Sequence, residues 1–214
     1  MPGAAILGAS AAARAGAGSV ALSGGGQGGP AAIIRKPEDA ILSDARLGAL
    51  LVGPGLGRDA EAEARLERAL ASGHPLVLDA DALTLLGDRR LPGTAILTPH
   101  DGEFTRLFGT LPGSKIERAS AAAARAGAVV VYKGADTVVA APDGRVALAA
   151  PGSPWLASAG TGDVLAGIVA AMLAQGLAPF EAAQAGVWLH AEAARLAGPN
   201  LIADDLIAHI SVLP

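Results

Sequence analysis

Cysteine is absent from the 214 residues, which excludes disulfides, thiolate nucleophiles and cysteine-ligated metals. Aromatic residues are scarce too, at 3% against 51% hydrophobic overall, and 29 glycines add to an alanine-rich background. A core built on rings is therefore excluded, and close packing of small side chains, helix against sheet, is expected instead. Positive charge is short as well: 16 basic residues stand against 20 acidic ones, a net charge of −4, with no basic stripe. That balance argues against nucleic acid or an anionic membrane as a partner. Long apolar runs are missing. The longest, Val164 to Leu177, is short for a bilayer span and contains Gly167, Gln175 and Gly176, so it reads as a buried helix. The N-terminus lacks the charged-then-apolar order of a secretory signal. A soluble, cytoplasmic protein is expected, with residues 1–214 forming one domain large enough for a substantial core.

What is present is a rhythm of short apolar runs and helical stretches. Ala4 to Ala15 reads as a helix ended by Gly16 and Gly18, followed by a strand at Ser19 to Leu22. Ser23 to Pro30 (SGGGQGGP) reads as a flexible connection, because no helical pattern follows it as a phosphate loop would require. Ile33 and Ile34 suggest a short edge strand. Ala49–Val52, Leu76–Leu78, Ala95–Leu97 and Ala128–Tyr132 read as buried strands. Between them Asp59–Ser72 reads as a charged amphipathic helix and Ser114–Ala126 as a helix. Val138–Ala141 and Arg145–Ala149 flank the turn signal Pro142-Asp143-Gly144, which predicts a hairpin. Two alanine-rich helices, Thr161–Gln175 and Pro179–Ala197, complete the body, with a last turn at Leu206–Ile210. Strands alternating with helices imply an α/β fold: a mostly parallel central sheet with helices on both faces.

The polar residues fall at the ends of the strands. The four buried runs close on GPGLG (Gly53–Gly57), DADAL (Asp79–Leu83), TPHDGE (Thr98–Glu103) and KGADT (Lys133–Thr137). Ligands of open α/β sheets bind outside the carboxyl ends of the strands, so these four segments are expected to line one crevice. Each member has two readings. Gly53, Gly55 and Gly57 either admit a ligand against the backbone or make a tight turn. Asp79 and Asp81 either approach Mg²⁺, directly or through water, or Asp81 caps the helix after it. His100 is a ligand contact or a structural histidine, and Lys133 is poised for a phosphate or merely solvated.

The most informative stretch is Ala157–Gly162 running into a helical pattern near Val164. A helix N-terminus offers free N–H groups and partial positive charge to an anion, and Gly160 and Gly162 let the backbone come close. Asp163 is out of place beside an anion. It is either a cap for the first turn or a general base for an attacking hydroxyl.

Taken together, GPGLG, DADAL, TPHDGEF, KGADTVV and WLASAGTGDVLAG resemble, in order and approximate spacing over nearly the whole chain, the ADP-dependent NAD(P)H-hydrate dehydratases of the ribokinase-like fold. GTGD alone is shared with sugar and vitamin kinases of that fold. The resemblance implies a repair lyase that dehydrates hydrated NADH or NADPH (NADHX, NADPHX) as ADP, or ATP in its place, is consumed; ADP gives AMP and phosphate. It implies that Asp163 activates the hydroxyl of the hydrated ring and that the Gly160–Gly162 amides stabilise the transferring phosphoryl group. Lys133, Gly134, Ala135, Asp136, Thr137, Thr161 and Gly162 would contact the adenine nucleotide. Ala4 (or Ala5), Gly53, Gly55, Gly57, His100 and Asp163 would contact the damaged cofactor. Mg²⁺ is expected with the nucleotide, no protein-held metal site is assigned, and relatives form homo-oligomers, often tetramers. Two departures from the family are visible: its first strand has no counterpart ahead of Met1-Pro-Gly-Ala-Ala-Ile-Leu, and the stretch from Pro37 to Leu50 is short. An absent strand would uncover a sheet edge and part of the cofactor pocket. A small-molecule kinase acting on a thiazole or pyrimidine alcohol, and a non-catalytic nucleotide-binding protein, are the competing readings.

Overall fold

In a computed structural model, residues 2–150 and 152–211 are described. The order of elements is α1 (Pro2–Arg14), β1 (Val20–Leu22), β2 (Ile33–Arg35), α2 (Glu38–Leu42), β3 (Leu50–Val52), α3 (Ala60–Ala71), β4 (Leu76–Leu78), α4 (Asp81–Leu86) and β5 (Ala95–Leu97). There follow α5 (Asp101–Phe108), α6 (Lys115–Ala126), β6 (Val129–Tyr132), β7 (Val138–Ala140), β8 (Val146–Leu148), a 3₁₀ turn at Pro154–Ala157, α7 (Thr161–Ala174), α8 (Pro179–Ala197) and α9 (Ala203–His209).

Strands β3 to β8 pair in chain order as one six-stranded sheet. The first four are parallel, and β7 and β8 add antiparallel at the far edge through the Pro142–Gly144 turn. The central strands are covered on both sides, as their unbroken apolar runs require. Alternation along them divides the core in two. Val77, Ile96, Val129 and Val131 face α7, α8 and α9, whereas Leu76, Leu78, Leu97, Val130 and Tyr132 face α3 to α6.

Local chemistry sets the helix ends. Asp59 caps α3 by accepting from the Ala62 amide at 2.8 Å. Ser114 and Glu117 cap α6 reciprocally, and Gly127, with φ of 71°, ends it. The shortage of aromatics is explained by helix α7. It is buried almost throughout, and a methyl group at Gly167 would lie 2.1 Å from the Gly8 carbonyl oxygen of α1. The backbones touch there, and larger side chains would hold the helices apart.

Three features depart from expectation. Helices α2 and α5 occupy stretches for which no helix is expected, because their caps are not the usual ones: Pro37 and His100 stand at those positions. The glycine-rich Ser23–Pro30 segment is clamped, not loose. The Arg35 guanidinium donates to the carbonyls of Gly24 and Gly28, each at 2.7 Å. Finally, β1 and β2 form a parallel pair of their own, separate from the main sheet. Between β1 and β3 runs a groove of about 720 Å³. Val20–Leu22 wall one side and Leu50–Val52 the other, with α1 and α7 on one face and α2 and α3 on the other.

Candidate active site

The carboxyl ends of β4, β5 and β6 converge on a buried carboxylate. Asp79 follows Leu78 directly and is only 2% exposed. Such a charge is costly without partners, and neighbouring strands supply two. The Thr98 hydroxyl donates to its Oδ1 at 2.8 Å, and Lys133 Nζ donates to the same oxygen at 2.9 Å. Lys133 Nζ also stands 3.9 Å from Glu103 Oε2. One ammonium thus serves carboxylates from two strand ends, and an apolar sheet closes the floor beneath it.

The first turn of α7 meets this cluster. Gly160 has φ of 88°, in the left-handed region, and a methyl group there would press on Leu7 at 2.7 Å. A methyl group at Gly162 would lie 3.2 Å from Lys133 Nζ, so the ammonium abuts the helix N-terminus. Two sources of positive potential, the lysine and the free N–H groups, face the same place. Asp163, 9% exposed, sits in the same turn. Burial, reinforced by the charge of Asp79 and opposed by Lys133, pushes its carboxyl up to about 6. A carboxylate bound by first-turn amides would be moved the other way, and no side-chain cap is present on α7. Asp163 therefore does not cap α7 through its side chain, which removes the cap reading.

The other strand-end residues join this framework in different ways. Gly53, with φ of 125°, lies so close to β4 that a methyl group would fall 1.8 Å from the Asp79 carbonyl oxygen. Its side chain is excluded by a neighbouring backbone. Asp81 does not cap α4 through its side chain, which corrects that reading of it. Its carboxylate accepts from the Gly57 amide at 3.1 Å and from Arg58 Nε at 2.7 Å, so it ties the GPGLG turn to β4. Gly55, with φ of 70°, is the middle of that turn.

His100 caps α5. Its Nδ1 accepts from the amides of Gly102 at 3.0 Å and Glu103 at 3.3 Å, while Glu103 Oε2 accepts from the His100 amide at 2.9 Å. With Nδ1 accepting, the proton resides on Nε2, which faces Glu103 Oε1 at 3.4 Å while the ring stays largely open to solvent. Ala4 is buried on α1, and Ala5 packs where a methyl group at Gly25 would touch it at 3.0 Å.

The KGADT run divides. Lys133 points down to Asp79, whereas Gly134, Ala135 and Asp136 are exposed on the rim. Lys115 braces that rim: its Nζ donates to Asp136 at 2.9 Å, which holds the Asp136 carboxyl below its usual range, and to the Lys133 carbonyl at 3.4 Å. Thr137 Oγ1 closes the turn by donating to the Gly134 carbonyl at 3.1 Å. Beneath, Tyr132 stacks on Phe104 with centroids 3.9 Å apart, and its hydroxyl donates to Asp101. Burial, with that carboxylate adding to it, raises the phenol to about 12 and keeps it neutral.

Three contributors escaped the sequence reading: Thr98, Glu103 and His190. The first two belong to the TPHDGE run, yet only pairing across strands reveals them. His190 had a signal: a polar residue at helical spacing from buried Ala183, Gly186, Val187 and Ala194. Among the described residues no group of three or more His, Asp or Glu is arranged for a metal ion, and no helix is long and apolar enough to cross a membrane. A second groove, about 880 Å³, lies away from this cluster, between β8, the Gly152–Trp155 segment and α8.

A protein-family model described as NAD(P)H-hydrate dehydratase matches residues 1–211. The ADP-dependent (S)-NAD(P)H-hydrate dehydratase of Neisseria meningitidis is 40% identical over 214 residues, covering 91% of this chain and 72% of that protein. The bifunctional NAD(P)H-hydrate repair enzyme of Mycobacterium tuberculosis is 42% identical over 194 residues, covering 85% of this chain but 40% of that longer protein. The chain thus spans less than half the length of such bifunctional relatives. The solved structure of the ADP/ATP-dependent NAD(P)H-hydrate dehydratase of Bacillus subtilis, co-crystallised with ATP and Mg²⁺, superimposes with a TM-score of 0.84. It is 30% identical, with 98% of this chain and 85% of that one covered. A hydroxyethylthiazole kinase of Pyrococcus horikoshii, at 18% identity and a TM-score of 0.61, shares the fold alone.

Proposed function

Since this chain belongs to the NAD(P)H-hydrate dehydratase family, we propose that it restores hydrated NADH or NADPH by removing water at the expense of ADP or ATP. The observation that carries the reading is Asp163: a buried base in the first turn of α7, beside Lys133 and free helix amides. With its carboxyl near 6, it is ionised at neutral pH and takes the proton of the ring hydroxyl. The hydroxyl oxygen then attacks the terminal phosphorus of the nucleotide; with ADP, the bond to the AMP oxygen breaks. The Gly160–Gly162 amides and Lys133 stabilise the charge that spreads over the transferring group. The phosphorylated hydroxyl departs as phosphate, pushed by the ring-nitrogen lone pair, and loss of a proton from the neighbouring carbon restores the double bond.

Under this reading the Lys133–Thr137 rim takes the nucleotide, and Ala4, the Gly53–Gly57 turn and His100 take the hydrated dinucleotide. Mg²⁺ fits as a companion of the phosphates, because it keeps much of its water and needs only one or two carboxylates. Asp79 and Glu103 border the cluster and would hold it, and bound there it would neutralise phosphate charge. We also read residues 1–214 as one cytoplasmic domain that self-associates. Exposed Leu148, Trp155 and Trp188 around the second groove support a subunit contact there, which sedimentation of a Trp188→Glu variant tests.

The direct test is to mix the protein with hydrated NADH, Mg²⁺ and ADP and follow NADH absorbance. Nucleotide-dependent recovery of NADH with matching AMP release is expected. Absence of turnover with either ADP or ATP overturns the reading.

A further inference from the structure

We propose that His190 is a positioning residue for the proposed dehydration, holding the first turn of α7 in its anion-receiving geometry through Thr161. The inference rests on the reading above. His190 lies on α8, 29 residues beyond the turn it serves, and is 8% exposed. Its Nε2 stands 2.9 Å from the Thr161 carbonyl oxygen. A carbonyl only accepts, so the hydrogen sits on Nε2 and Nδ1 is bare. Burial lowers the imidazole to about 4, so this one neutral form persists through the working range.

The same threonine is held from its other side. Its single hydroxyl hydrogen is shared between the carbonyls of Leu156, at 2.7 Å from Oγ1, and Ser158, at 2.9 Å, both in the segment that leads into α7. Thr161 is therefore clamped between α8 and the 3₁₀ turn. It is also the one residue between Gly160 and Gly162 with a side chain to clamp. Those glycines let an anion approach but leave the turn short of internal restraint. Charge stabilisation in the transition state depends on donors that are already aimed when the charge develops. His190 supplies that aim from behind, without touching the ligand.

A buried histidine that merely fills the core predicts different behaviour, which sets the test. Glutamine carries an amide N–H near the position of imidazole Nε2; asparagine, one carbon shorter, does not reach it; leucine has no donor. We expect His190→Gln to keep kcat within about threefold of the wild type. His190→Asn and His190→Leu are expected to lose at least tenfold in kcat, with KM for the hydrated dinucleotide changed less than threefold. Equal kcat for the glutamine and asparagine variants, or a leucine variant as fast as the wild type, overturns the proposal. Should the variants fail to fold, ¹⁵N NMR of the wild type decides. The His190 Nε2–H signal is expected to shift on addition of ADP, and an unmoved signal at saturating ADP overturns it. An inactive wild-type enzyme would instead count against the dehydratase reading, whatever the variants do.

Discussion

The carboxyl ends of β4–β6 and the groove between β1 and β3 are built on opposite terms. In the first, strands lie side by side and their terminal side chains bond across: Asp79 to Thr98 and Lys133, and Lys133 toward Glu103. In the second, two strands face each other across open space. Leu50 and Val52 bond to the β4 side through Pro75 and Asp79, so the N–H and C=O of Leu51 point into the groove. Ala21 does the same on β1, where Leu22 bonds to the β2 side. Continuity of the sheet creates the buried polar site, and its interruption creates an open groove. The comparison teaches that the charged cluster needs its apolar floor complete, while the edge tolerates an unfinished one.

The largest effect is expected from Asp163→Asn, which keeps shape and removes the base. Turnover should fall by about 10²–10⁴-fold while ADP affinity, measured calorimetrically, stays within about threefold. Near-normal turnover would defeat the assignment of the base. Next comes Lys133→Met, which strands the buried Asp79 carboxylate without its counter-charge. Denaturant unfolding should show a loss of roughly 3–5 kcal/mol; a loss under about 1 kcal/mol would mean that the cluster does not depend on the pair.

The contrast between regions is sharpened by a pair of equal truncations. Leu78→Ala, in the closed part of the sheet, should cost roughly 2–5 kcal/mol. Leu51→Ala should cost about 1 kcal/mol, because Leu51, though it packs on α1, is only partly buried beside the groove. Hydrogen exchange offers the same contrast without mutation: the Leu51 and Ala21 amides should exchange on the order of a hundredfold faster than that of Val77. Equal protection would show that the groove is closed in solution.

Smaller effects follow. Gly167→Ala should destabilise by roughly 1–3 kcal/mol, because the methyl group meets the Gly8 carbonyl at 2.1 Å. Gly3→Ala, with open space around it, should be neutral or slightly stabilising. Asp163 also carries a stability signature. Its carboxyl is raised in the folded protein, so the fold binds a proton more tightly than the unfolded chain does. Stability attributable to this group therefore falls as pH rises from about 4 to about 6. Asp163→Asn should be the more stable protein at pH 7, by roughly 1–2 kcal/mol, and no more stable at pH 4. In the wild type the proposed base is protonated below about pH 6, so kcat/KM should decline there.

Much of this architecture was legible in the chain. The strands from Leu50 to Leu148 match their apolar runs within a residue or two, because a strand covered on both faces needs consecutive apolar side chains. The strand-end runs were legible for a related reason, since polar groups are excluded from the buried interior and collect where the strands stop. The DADAL run shows the limit. Asp79 and Asp81 are two residues apart and look equivalent, yet one is buried under Lys133 and the other holds a turn of β3. Their partners lie 54 and 24 residues away, at separations that no local pattern encodes.

The sequence by itself determined the strands of the main sheet, the longer helices, their alternation and the end of the sheet where chemistry collects. These depend on local propensity and burial, which act within a few residues. Tertiary structure alone decided that Lys133 turns inward from the rest of its motif, that Asp163 is buried with a raised carboxyl and makes no cap bond, and that His190 stands behind the α7 turn. It also decided that the strands part between β1 and β3. Each of these outcomes depends on which distant groups share a low-dielectric space, and only the folded chain brings them within bonding distance.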